Sequence, residues 1–156
     1  MAIRNKISFV LILMVVSLWS CSSLEFMNKQ HIYIENGLGP SNVLTVHCKS
    51  KDIDLGERNV NYQQSYEWSF MEHFFYSTVF WCRIWWYDHH RLVWVHNDMW
   101  DSANREQFEG CIDDSTKYKG CKLDGARCCV RRAQWDGIYF IQWKGAFKKI
   151  YNWRRE

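Results

Sequence analysis

After residue 30, apolar and polar residues alternate with a period of two, the mark of strands that bury one face. In His31–Glu35, Ile32 and Ile34 fall on one side. Gly37, Gly39 and Pro40 supply turn chemistry, after which Leu44, Val46 and Cys48 alternate with Thr45 and His47. These two segments predict a first hairpin. Tyr66–Phe70 predicts a third strand, with Tyr66, Trp68 and Phe70 opposed to Glu67 and Ser69. Thr78–Trp86 is apolar on both faces, which predicts a central strand. Asp88, His89, His90 and Arg91 form a polar turn, and Leu92–His96 returns as the second half of another hairpin. From Asp98 to Arg127 the chain becomes polar and contains Gly110, Gly120, Gly125, Cys111 and Cys121. That stretch predicts a long disulfide-held loop, with at most one helical turn over 98–109. Cys129 then leads through Asp136-Gly137, a strong hairpin-turn dipeptide, into Ile138–Trp143. Phe147–Trp153 is compatible with a further strand. Seven to eight short strands with regular turn signals predict an all-β fold, an antiparallel β-sandwich.

The first residues follow a different pattern. Arg4 and Lys6 precede an apolar run from Ile7 to Trp19, shorter than the roughly 20 residues that span a bilayer, and small residues follow at Ser20, Ser22 and Ser23. This is the layout of a signal peptide over residues 1–23, leaving a single domain over 24–156. A retained anchor, or a lipid-modified Cys21, is the alternative reading. With the leader gone, no stretch of membrane length remains, so the mature chain is expected outside the cell with no membrane insertion. Loss of Arg4 and Lys6 takes two of the 20 basic residues, against 17 acidic ones, and leaves a near-neutral protein. Such a balance supplies no field for nucleic acid.

Of seven cysteines, Cys21 departs with the leader. Cys48, Cys82, Cys111, Cys121, Cys128 and Cys129 remain, an even set in an oxidising compartment, and three disulfides are expected. Cys128 and Cys129 are neighbours and are expected to take different partners, because a bridge between adjacent residues is strained. No pair of Cys-x-x-Cys motifs suggests zinc. His89-His90 reads as a solvated turn, and His47 with Asp52 and Asp54 lacks the ligand ladder of a calcium loop. No serine lies between glycines as in a nucleophile elbow, no thiol is left unpaired, and the domain is small for a hydrolase cleft. Neither an enzyme nor a cofactor is expected. The unusual quantity is aromatic: ten tryptophans, nine phenylalanines and eight tyrosines. Trp68, Trp81 and Trp143 read mainly as core. Trp85, Trp94 and Trp100 divide evenly between core and a binding surface that could stack on sugars or anchor a protein partner.

The segments Val46-His47-Cys48-Lys49-Ser50-Lys51-Asp52-Ile53-Asp54-Leu55-Gly56, Trp68-Ser69-Phe70, Thr78-Val79-Phe80-Trp81-Cys82 with Trp85, and Asp136-Gly137-Ile138-Tyr139 behind Cys129 resemble the plant self-incompatibility S-protein homologue family. Asn36 precedes the first run at about the family distance. The chain departs from that pattern at Arg131, where the family usually has Trp, and over 98–128, which is longer and holds extra cysteines. The resemblance implies a small secreted β-sandwich acting as an extracellular ligand, after founding members that arrest incompatible pollen through a pollen-surface receptor. Cys48, Cys82 and Cys129 match family cysteines, with Cys111, Cys121 or Cys128 as the fourth. The expected pairing is Cys48 with Cys129 and Cys82 with a loop cysteine.

The resulting expectation is a secreted ligand for a cell-surface receptor protein, recognising it through polar loops. The residues expected to face the receptor are Asp88, His89, Arg91, Asp101, Arg105 and Lys119, with Trp100 as an aromatic anchor. The alternative is a cell-wall carbohydrate-binding module using exposed tryptophans.

Overall fold

A computed structural model describes residues 29–71, 78–102, 127–141 and 146–156. Ten strands form two five-stranded sheets: β1 (Lys29–Asn36), β2 (Leu44–Lys49), β3 (Asp54–Val60), β4 (Ser65–Met71), β5 (Val79–Asp88), β6 (Arg91–Asp101), β7 (Arg127–Gln134), β8 (Gly137–Ile141), β9 (Phe147–Asn152) and β10 (Arg154–Arg155). One sheet has the order β4-β1-β7-β8-β9 and the other β10-β6-β5-β2-β3. The all-β sandwich is as expected, with one exception to its antiparallel pairing: β1 and β7 run parallel.

The inward-facing residues follow the predicted alternation. Ile32 and Ile34 on β1, Leu44, Val46 and Cys48 on β2, and Phe80, Cys82, Ile84 and Trp86 on β5 are all buried in one core between the sheets. Trp68, Phe70, Phe80 and Trp100 form a connected set of rings, with centroids 5.7, 4.8 and 5.9 Å apart along the chain of contacts. Burying side chains of this size contributes more per residue than aliphatic packing would. A second buried cluster of Tyr33, Cys128, Val130 and Ile141 lies on the other face of the β1 sheet. β1 and β7 are therefore buried on both faces.

The predicted first hairpin does not form. β1 and β2 belong to different sheets, and residues 37–43 carry the chain from one to the other. Each strand has one strongly apolar face, and two such faces can meet across a core as well as along a sheet, so alternation alone does not choose. Asn36 holds the crossing in place. Its side-chain amide donates to the carbonyls of Asn42 and Val60, each at 2.8 Å, and its oxygen accepts from the Leu38 N–H at 3.0 Å.

The disulfide pairing is also corrected. Cys48 is bonded to Cys82, its direct partner on the adjacent strand, with Cα atoms 4.0 Å apart. Strand pairing sets Cys48 directly opposite Cys82 within one sheet, whereas Cys129 lies on β7 in the other. Cys128 and Cys129 are also disulfide-bonded. Cys129 sits in the inter-sheet core and Cys128 in the cluster on the opposite face, so the two neighbours point apart. Cys111 and Cys121 lie outside the described residues, as do residues 1–28.

Candidate functional site

The Val46–Gly56 run forms a turn and a bulged strand. The Ser50 side-chain oxygen accepts from the Ile53 N–H at 3.2 Å, and the Ser50 N–H donates to the Ile53 carbonyl at 2.8 Å. Asp54 accepts from the Gly56 N–H at 2.8 Å, where φ is +70°, and its carboxylate lies 2.7 Å from His47 Nε2. The Gly56 N–H and then His47 hold the Asp54 carboxyl below the usual carboxylate range. These residues are occupied in shaping β3, which makes the run a turn code.

The chemistry of interest gathers at one end of the sandwich. β5 and β6 are joined by a two-residue turn in which Asp88 pairs with Arg91, and both central residues, His89 and His90, have positive φ of 46° and 73°. That geometry matches the twist of the strands but is normally filled by Asn-Gly. Non-glycine residues held there store strain, a feature that clusters at functional sites. Asp88 braces the turn. It lies 2.8 Å from His89 Nδ1 and accepts from Arg155 at 2.8 Å, and its carboxyl is held below its ordinary range first by His89 and then by Arg155.

Arg155 also donates to the Trp135 carbonyl at 3.4 Å, which ties the β5–β6 turn to the β7–β8 turn in the other sheet. Trp135 is 47% exposed, and its ring packs on buried Trp86 with centroids 4.6 Å apart. Tyr87, beside the turn, is 62% exposed. The same end has a polar cavity of about 500 Å³ between Tyr62, Gln63, Arg132 and Gln134. In its wall, Arg132 donates to Glu35 at 2.7 and 2.9 Å. Exposed Trp135 and Tyr87 together with Arg132 and Arg155 have the composition of interface hot spots.

Asp88, His89 and Arg91 lie together at the β5–β6 turn. Asp101 and Trp100 do not join them, because β6 runs on through Asp101 and places them at its far end, about 33 Å away at the usual strand rise. Trp100 is only 3% exposed and packs against Phe70 in the core, which rules it out as a surface anchor. The polar stretch predicted as a loop from Asp98 instead continues the strand to Asp101, past a bulge opposite Phe80 and Trp81. Arg105 and Lys119 lie outside the described residues. Sequence reading missed Tyr87, Trp135 and Arg155; the position of Trp135 beside Asp136-Gly137, in a hairpin turn, was the available signal.

The family model for plant self-incompatibility protein S1 matches residues 31–153. Among curated proteins, S-protein homolog 1 of Arabidopsis thaliana is 31% identical over 77% of this chain and 66% of its own length. S-protein homolog 74 of the same plant is 33% identical over 55% of this chain and 57% of its own length. The chain therefore spans two thirds or less of the length of these relatives. Self-incompatibility protein S1 of Papaver rhoeas is 24% identical over 90% of this chain and 88% of its own. Among solved structures, one described as a self-incompatibility protein homologue, from a widespread family of small, highly stable, secreted plant proteins, superposes with a TM-score of 0.53. It is 19% identical and covers 83% of this chain and 97% of that one.

Proposed function

Starting from the chain's membership of the plant self-incompatibility S1 family, as a secreted S-protein homologue, we propose that it is an extracellular ligand that engages a cell-surface receptor protein through the end of the sandwich formed by the β5–β6 and β7–β8 turns. The observation that carries this reading is the pair of left-handed histidines at the tip, with His89 bonded to Asp88 and Asp88 linked through Arg155 to half-exposed Trp135. If the turn served only to reverse the chain, Asn-Gly would do so at lower cost. Two imidazoles at those positions offer a partner ring faces and a second polar side chain that an Asn-Gly turn lacks. Asp88 and Arg155 fix the tip before contact, so little order has to be gained on binding.

The test is a double replacement, His89→Asn with His90→Gly, which keeps the turn and removes its chemistry. The expected variant is as stable as the parent or more stable by about 1 kcal/mol, and it loses activity in a cell-response assay. Trp135→Ala is expected to raise the half-maximal concentration about tenfold or more. A correctly folded Asn-Gly variant with the parent's full response would place recognition elsewhere.

A further inference from the structure

The outer face of the β10-β6-β5-β2-β3 sheet carries a row of side chains that the core does not use. Arg154, Trp94, Trp85, Thr45 and Asn59 occupy paired positions across all five strands. At the usual strand spacing the row is about 19 Å long. Trp85 and Trp94 are half-buried, so each keeps part of its indole open to solvent. The Arg83 guanidinium lies 5.5 Å from the Trp85 ring centroid and 5.9 Å from that of Trp94, and Arg154 lies 5.0 Å over Trp94. Neither arginine makes an ion pair among the described residues. At the far end of the row, the Thr45 hydroxyl donates to the Asn59 side-chain oxygen at 3.0 Å. Carboxylates rim the row: Glu156 accepts from the Trp94 indole N–H at 3.1 Å, Asp54 is engaged by His47 and Gly56, and Glu57 and Asp98 stand one and two rows away.

We propose that this face binds an acidic polysaccharide, a chain of uronic acid residues. The C–H face of a pyranose ring is weakly positive and stacks on the negative face of an indole. Arg83 and Arg154 are fixed against those indoles and can each take a carboxylate by two parallel hydrogen bonds, a match that planar guanidinium makes better than ammonium. Thr45 and Asn59 supply hydroxyl and amide groups for sugar hydroxyls. A neutral glycan would use the indoles and leave both cations without an anion. This site is distinct from the turn end and does not rest on the receptor reading.

The test is calorimetric titration of the full mature protein with decagalacturonic acid at about 0.15 M salt, where exposed long-range charge effects are largely screened. Its methyl ester, cellohexaose and dextran sulfate serve as comparison probes. Saturable binding of the acid oligomer is expected, about tenfold weaker or more in Trp94→Ala and in the double variant Arg83→Gln with Arg154→Gln. The ester and cellohexaose are expected to bind more weakly. Because the arginines are exposed, the double variant should keep the parent's far-UV circular dichroism even where Trp94→Ala does not. The Asn-Gly turn variant should bind the oligomer as the parent does, so failure of one reading is visible apart from failure of the other. Absence of binding, affinity unchanged in the arginine variant, equal affinity for cellohexaose, or equal affinity for dextran sulfate would each overturn the proposal.

Discussion

Arg131 shows most sharply how one side chain takes up an unexpected duty. It is fully buried on the inner face of β7, opposite Ile34 and Phe140, and its guanidinium reaches across the sandwich to the Met99 carbonyl at 3.2 Å. The Phe140 ring lies 5.2 Å from it. Burial lowers its pKa to about 10, so it remains cationic at neutral pH. Arg131→Ala is expected to destabilise the fold by about 2–4 kcal/mol by leaving a cavity and stranding the bulge carbonyl of Met99. Arg131→Met, which fills the volume without a buried charge, is expected to cost much less. Chemical denaturation of the two variants checks the order. Asn36 was legible as a family position, but nothing in its local sequence indicated that it bonds residues 38, 42 and 60 at once.

At the scale of strands, the elements with clean alternation were readable and those without were not. β4, β5 and the β7–β8 hairpin fall close to their predicted places, because each couples a period of two to a buried face or a strong turn signal. β3 was missed: Asp54–Val60 buries only Val60, since it is the edge strand and its exposed side needs no apolar residue. The Cys48–Cys82 bridge joins two strands already paired in one sheet, and it closes a sequence separation of 34. Removing it by Cys48→Ala with Cys82→Ala is expected to lower stability by about 3–4 kcal/mol, mainly through the freed unfolded chain. A guanidinium unfolding midpoint reads the difference. An unchanged midpoint would mean that the bridge adds no net stability.

Across the whole molecule, charge is arranged as short-range braces on turns. Asp88, Asp54 and Asp136 are each held below the usual carboxylate range; the principal causes are, in turn, His89, the Gly56 N–H and Lys149. A carboxyl whose pKa is lower folded than unfolded adds stability above its unfolded value near 4, and that gain is lost as pH falls through the lowered folded value. The protein is therefore expected to keep its melting temperature from neutral pH to about 5 and to lose it below about 4. Asp88→Asn should flatten part of that acid limb, which thermal unfolding across pH 2–6 would detect. A parallel acid limb in the Asn variant would mean that Asp88 contributes nothing to it.

By itself the sequence determined the class of protein. Period-two alternation, turn dipeptides and a high cysteine content point to a disulfide-stapled β-sandwich, because these signals are local and each constrains only its own neighbourhood. It also located Asp88, His89 and Arg91 in an exposed turn. Tertiary structure alone decided which sheet each strand joins, which cysteine meets Cys48, that Trp100 is core while Trp135 is surface, and that Arg155 links two turns. Those are long-range choices: an apolar face packs equally well against any apolar face, and only the full set of pairings, closed around one core, selects among them.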